Sequence, residues 1–353
     1  MKTAVTKTRS QMVSNILSGC WRDSDFSALE MSELQLDEIT PLLYGSGAAG
    51  LGWWRLRNTE LSHTASAQVL HQAYRLQVLQ SGIHEEKITK VFQLLRASSI
   101  EPILVKGWAA AALYPSCGLR PYGDIDLIVK PEQYKAALAL LGDPSVKDCW
   151  VDLHRNLDEL DERPLPQLFE RARRLPLRDS SVTVLSAEDH LALLAVHLLK
   201  HGAWRPLWLC DIGAGIESLP AGFDWDVCLG RNRTRSSWIK AAVGLANKLL
   251  SARVDRVPEN ARAGQLPEWL VESVLEQWEE PFASNQPPMS HPVPMSRVWR
   301  KPRLLFKALR QRWPNPILAT VSVNGRFNNF PRLPYQIGNC LVRGVHFLSP
   351  REN

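Results

Sequence analysis

Two stretches decide how this chain is read: Ile103-Leu104-Val105-Lys106-Gly107-Trp108 and, after a loop, Asp124-Ile125-Asp126-Leu127-Ile128-Val129. The apolar run Ile103 to Val105 is consistent with a buried strand, and Gly107 ends it. Trp108 to Leu113 is alanine-rich and reads as a short helix, broken by Tyr114-Pro115-Ser116. Gly118 to Gly123 reads as a loop. Asp124 to Val129 alternates polar and apolar, then turns apolar, and reads as a second strand. Alternate side chains of a strand share a face, so Asp124 and Asp126 point one way while Ile125, Leu127 and Val129 face the core. Two carboxylates held that close repel each other, and a cation between them relieves the repulsion. The cation implied is Mg²⁺, which takes one or two carboxylates together with substrate phosphates. A pair of such ions clamps the attacking and leaving oxygens of an in-line phosphoryl displacement.

Working outward, Pro131 opens a helix through Leu141, since proline fits a first helical turn, and Gly142-Asp143-Pro144 closes it. Cys149 to Leu153 alternates again and reads as a third strand, which makes Asp152 the candidate third carboxylate, with His154 on its face. Gly107, at a strand-to-helix turn, lets the backbone approach a phosphate, and the helix N-terminus behind it offers free N–H groups and a positive dipole end. Lys106 and Arg120 add charge against a triphosphate. Plainer roles stay open beside these. Asp124 and Asp126 also fit an edge-strand solubility device, Asp152 a surface acid and Lys106 a solvated lysine.

This ordered set resembles the nucleotidyltransferase superfamily of the DNA-polymerase-β type. The superfamily's signature is an apolar residue, Gly and Gly/Ser, a gap, then Asp-apolar-Asp/Glu-apolar. The matching residues are Val105-Lys106-Gly107-Trp108 and Asp124-Ile125-Asp126-Leu127. More narrowly the chain is similar to an uncharacterised bacterial family with an LKG…Y…R…DIDLLV…DLHW pattern and a helical C-terminal half. The pieces that carry this are Leu104 to Gly107, Tyr114, Arg120, Asp124 to Val129, Val151 to His154, and His197, His201, Trp204 and Asp211, spanning about residues 70 to 255. Trp108 departs from the superfamily's Gly or Ser, so that position works through its backbone. Arg155 stands where the narrower family often has an aromatic, and the stretch from Leu141 to Val151 is short. The resemblance implies a Mg²⁺-dependent enzyme that moves a nucleoside monophosphate from an NTP to an acceptor hydroxyl or phosphate and releases pyrophosphate. Asp124, Asp126 and Asp152 would be catalytic and metal-binding, and Lys106, Gly107, Trp108 and Arg120 nucleotide-binding. The acceptor would be a small molecule, a protein side chain or an RNA end.

Ala65 to Ser99 reads as one helix or two, with Ile88, Val91, Phe92 and Leu95 on one apolar face. The glycine-rich patch Tyr44 to Trp54 lacks a preceding strand and the Lys-Ser/Thr of a P-loop, so it reads as a bend between helices. From Arg155 onward the chain reads as mostly helical. Ser186 caps a helix to Lys200 with Asp189 in the capping-box position and Gly202 as its stop. Further helices are expected over Trp225 to Leu229, Ser236 to Leu250 and Glu268 to Glu279. Asp224-Trp225-Asp226 reads as a helix start rather than a second metal motif. His190, Leu194, His197 and His201 share a helix face, but His197 to His201 lacks the glutamate of a zinc helix, and packing or a nucleotide contact fits better. Asp211 fits a helix-surface acid or an orienter of a nearby cation.

The fold expected is α+β: a small mixed β-sheet core over 84–156, preceded by helices over 1–83 and followed by a helical domain over 157–280. A proline-rich linker and basic tail over 281–353 complete the chain. Six cysteines without a CxxC pair argue against a zinc site and a disulfide framework, and fit a reducing compartment. Met1 to Val13 has no apolar run, and no stretch approaches 18 apolar residues, so neither a signal peptide nor a membrane span is expected, and the cytoplasm is the default. Ser296 to Asn353 carries eleven Lys and Arg against one acid, a net of +10 in a chain of net +6, which leaves −4 for the rest. Such a tail suits contact with RNA or another polyanion, or a solvated surface. Two rival functions remain. A metal-dependent glycosyltransferase would need a nucleotide-binding α/β region before the motif, where residues 1 to 100 read as helical. A non-catalytic nucleotide- or RNA-binding module with a degenerate core would be favoured by loss of the third carboxylate.

Overall fold

A glycine with positive φ organises the centre of the molecule. Strand β1 (Ile103–Leu104) runs into Gly107, whose φ of 53° and ψ of −108° turn the chain into a single helical turn, α5 (Trp108–Ala111). The structure, a computed structural model, describes residues 7–24, 28–279 and 313–348. The expected linker Pro281 to Pro294 and the basic stretch Arg297 to Arg312 lie outside the described residues.

Helices α1 (Arg9–Leu17), α2 (Glu33–Gly45), α3 (Ala49–Leu56) and α4 (Ala65–Ala97) precede the sheet. Thr8 and Ser32 each form a capping box, with Gln11 and Gln35. The glycine patch is the bend between α2 and α3, where Gly47 has a φ of 79°. Residues 65–97 form one helix of 33 residues, not two.

The sheet is mixed and has five strands in the order β3-β2-β1-β5-β4. β2 (Ile125–Ile128) pairs antiparallel with β1, and β3 (Val151–His154) pairs parallel with β2, placing Asp126 opposite Asp152 and Ile128 opposite His154. The crossover from β2 to β3 passes through α6 (Tyr134–Leu141). All four residues of β2 are buried because the sheet is covered on both faces. Ile125, Leu127 and Val129 pack with Ile88, Val91, Phe92 and Leu95 of α4. Ile128, on the other face with Asp126, joins the large helical core.

The remaining two strands come from a stretch whose sequence reads as helical. After α7 (Leu165–Arg171), β4 (Arg173–Leu177) and β5 (Ser180–Val184) form a hairpin, and β5 pairs in parallel with β1. The turn, Arg178-Asp179, has none of the glycine or asparagine that marks tight hairpins, though Arg178 adopts a φ of 52°. Pro176 is tolerated because β4 is the edge strand. The border drawn at residue 156 therefore cuts through the sheet.

Beyond the hairpin the chain is helical: α8 (Ala187–Lys200), α9 (Pro206–Glu217), α10 (Trp225–Leu229), α11 (Arg233–Leu250) and α12 (Glu268–Trp278). Ser186 caps α8 by accepting from the Asp189 N–H, and Asp224 caps α10, so Asp224-Trp225-Asp226 is a helix start. Part of the expected tail is a structural wall. α13 (Pro316–Ser322) buries Ile317, Ala319, Thr320 and Val321, and α14 (Leu333–Leu348) packs on α13. Trp238 Nε1 on α11 donates to the Gly325 carbonyl at 2.8 Å, and Asn315 Nδ2 to the Gly202 carbonyl at 3.0 Å. Among the described residues no helix is long and apolar enough to cross a membrane.

Candidate active site

The parallel register of β2 and β3 brings Asp126 and Asp152 side by side, and with His154 they form one group whose ligand atoms all lie within 4.8 Å of one another. The buried Asp126 carboxylate accepts from His154 Nε2 at 2.7 Å, while the exposed Asp152 lies 3.6 Å from the same nitrogen. The hydrogen bond to Asp126 raises the His154 pKa; burial opposes this, and the Asp152 charge adds to it. His154 thus moderates the repulsion of the two carboxylates. Its position on the face of Asp152 was legible in the alternation, but its contact with Asp126 was not, because that depends on strand pairing.

Asp124 is exposed, sits one residue before β2 and lies outside this group. It is delivered by the loop that Arg120 anchors. Arg120 is buried. Its guanidinium donates to the wholly buried Asp211 from Nη2 at 2.9 Å and from Nε at 3.2 Å, and from Nη1 to the Pro121 carbonyl at 3.1 Å. The Tyr114 hydroxyl donates to the same carboxylate at 2.8 Å. Asp211 is therefore an orienter of a cation and not a surface acid, and Arg120, expected to meet a triphosphate, spends these donors inside the protein.

Lys106 follows β1 at the turn. Its ammonium lies 3.4 Å from Glu159 Oε1, which also bonds His197 Nδ1 at 3.0 Å. Burial pushes the Glu159 carboxyl up, but His197 and Lys106 outweigh it and hold the pKa well below the usual carboxylate range. His197 thus bonds the carboxylate that pairs with the lysine. A Cβ on Gly107 would meet the Asp124 carbonyl at 3.3 Å, so the glycine is required both by its φ and by this close approach. The buried Trp108 donates from Nε1 to Glu85 at 3.2 Å, which leaves its backbone for any ligand. The turn α5 has four residues, and its Ala109 and Ala111 N–H groups already donate to the Lys106 and Gly107 carbonyls, so it supplies little of a macrodipole.

A cleft of about 1010 Å³ adjoins the group and shares His154 with it. Its lining comes from three parts of the chain: Lys106 and His154 by the sheet, Glu159, Asp161, Lys200 and Arg235 from the helical half, and residues of α13 and α14. Glu159, Arg235 and the C-terminal wall had no local signature, being separated from the motif by tens to hundreds of residues.

Two carboxylates and an imidazole in such proximity are a donor set that could hold a divalent cation. The family model described as uncharacterised nucleotidyltransferase matches residues 32–250, and the chain belongs to that family. The match runs from α2 to the end of α11 and leaves α13 and α14 outside it. No curated protein and no solved structure matches the chain. The fold, the acidic group and the family together fit a nucleotidyltransferase role, which implies a nucleotide substrate.

Proposed function

We propose that the protein is a Mg²⁺-dependent nucleotidyltransferase of the polymerase-β type that moves a nucleoside monophosphate from an NTP to an acceptor hydroxyl or phosphate. The acceptor oxygen bonds to the α-phosphorus, the bond from that phosphorus to the bridging oxygen breaks, and pyrophosphate leaves. The observation that carries this reading is the group Asp126, Asp152 and His154, set beside Lys106 and the Gly107 turn. Asp126 and Asp152 would hold the metal, with Asp124 swinging in from the loop. Their oxygens suit Mg²⁺, and His154, bonded to Asp126, orients that carboxylate. When bound, the metal supplies charge stabilisation for the phosphoryl oxygens. Lys106, steadied by Glu159, faces the phosphates, and the Trp108 backbone N–H just after Gly107 donates to them. Asp152, the exposed carboxylate, takes the proton of an acceptor hydroxyl. The proximity of Asp152 to Asp126 favours this over a non-catalytic module, which would be expected to lack the third carboxylate.

The test is pyrophosphate release from Mg²⁺–NTP with a panel of acceptors. Asp124→Asn, Asp126→Asn and Asp152→Ala should each lose most of the transfer rate, and Asp152→Ala should keep measurable NTP binding. Turnover unchanged in Asp126→Asn or Asp152→Ala would remove the carboxylates from the chemistry and sink the reading.

A further inference from the structure

Among the described residues, two side chains on the cleft hold polar atoms that are buried and without a hydrogen-bond partner: Arg235 Nη1 and Asn339 Oδ1. Both residues are more than nine-tenths buried, Arg235 being 8% and Asn339 3% exposed. A buried polar atom left unpaired is costly, so two in one cleft call for an explanation.

Each is held in place by its other end. Arg235 donates from Nη2 to both oxygens of Asp161, at 3.0 and 2.9 Å, and its guanidinium lies 4.6 Å from the Trp238 ring centre. Asn339 donates from Nδ2 to Ser322 Oγ at 2.6 Å. The unpaired atoms are therefore held in fixed positions, which spares a ligand the cost of ordering them. Arg235 comes from α11, inside the family match, and Asn339 from α14, outside it. The site they share is particular to chains that carry this C-terminal wall.

A guanidinium N–H prefers an anionic oxygen, and an amide oxygen takes a hydroxyl or N–H donor. Five Lys and Arg on the lining face three Asp and Glu, a positive balance, while Leu318 and Val321 leave room for a carbon skeleton. A cleft of about 1010 Å³ is at the upper end for small-molecule sites, enough for a nucleotide and a second ligand together. We propose that this part of the cleft is the acceptor pocket, and that the acceptor is a small polyol bearing a phosphate or carboxylate. Its anionic oxygen pairs with Arg235 Nη1, and one of its hydroxyls donates to Asn339 Oδ1. The assignment rests on the nucleotidyltransferase reading for the word acceptor, but the pocket and its selectivity stand on the cleft itself.

The experiment is calorimetric binding to the full chain without nucleotide, using D-ribose 5-phosphate, D-gluconate, D-ribose and an RNA oligonucleotide as probes. Binding of Mg²⁺–ATP is measured on the same proteins. At least one of ribose 5-phosphate and gluconate should bind at least tenfold more tightly than ribose, and which of them binds separates the phosphate from the carboxylate source. Asn339→Leu should weaken that binding at least tenfold. Asn339→Asp, which keeps the shape and adds a repelling charge, should do the same, and both variants should bind Mg²⁺–ATP like the parent. Equal affinity for ribose and the anionic polyols, or unchanged affinity in Asn339→Leu, overturns the pocket. Binding by an RNA oligonucleotide alone also overturns it. Failure of the parent to bind Mg²⁺–ATP, with polyol binding intact, would instead count against the nucleotide reading.

Discussion

Replacing Asp211 by asparagine tests how the loop before the acidic strand is held. The Asp211 carboxylate has no exposed surface and takes two guanidinium donors of Arg120, at 2.9 and 3.2 Å, with the Tyr114 hydroxyl at 2.8 Å. Asp211→Asn keeps the size and one oxygen for Tyr114 but leaves the Arg120 charge buried without its counter-charge. Breaking a buried pair from one side costs about 3–5 kcal/mol, far more than the pair's net worth, because the surviving charge stays desolvated. At roughly 2–4 °C per kcal/mol for a chain of this order of size, the melt should fall by about 6–20 °C. Urea titration should show the same loss at an unchanged slope. The double variant Arg120→Met, Asp211→Leu should recover part of the stability, since neither charge remains and only the Tyr114 hydroxyl loses its acceptor. Turnover should still fall in it, because the Nη1 bond to the Pro121 carbonyl that steadies the Asp124 loop is gone. A loss below about 1 kcal/mol in Asp211→Asn, or a double variant as unstable as the sum of the singles, would refute the claim that this pair anchors the loop.

Gly107→Ala should destabilise by more than about 1 kcal/mol, because alanine at φ 53° is strained and its Cβ would sit 3.3 Å from the Asp124 carbonyl; a neutral result in chemical denaturation would mean the turn is not fixed. Glu159→Gln should cost about 1.5–3 kcal/mol at pH 7, the worth of hydrogen bonds to a charged group. The folded carboxyl lies below its unfolded value of about 4.3, so its contribution is whole above that pH and is lost as pH falls through the folded value. Parent and variant should therefore converge on acidification, and a gap that stays constant with pH would count against the charge network. Removing residues 313–353 should lower the melting temperature and expose Trp238 to quenchers, since Trp238 is wholly buried and bonds the Gly325 carbonyl; an unaltered tryptophan emission would show that the wall does not pack there.

What the sequence determined by itself was local. The turn at Gly107, the alternation that sets Asp126 against Ile125 and Leu127, the Ser186 cap and the Asp224 helix start all follow from neighbours within a few residues. There, backbone sterics, side-chain alternation and capping act directly. The acidic helix start at Asp224 even allowed a second Asp-x-Asp to be set aside. The β4–β5 hairpin escaped because Arg178-Asp179 carries no turn chemistry that sequence reveals, and β5 is recognised by its partner β1 some 80 residues away. Only the tertiary structure decided that Asp126 meets Asp152, through the parallel pairing of β2 and β3, and that Asp124 lies outside their group with His154. It alone turned Arg120 inward onto Asp211, tied Lys106 to Glu159 and His197, and folded α13 and α14 back to wall the cleft. These are contacts between segments distant in sequence. They are fixed by burial of apolar faces and pairing of buried charges, neither of which has a period to read along the chain.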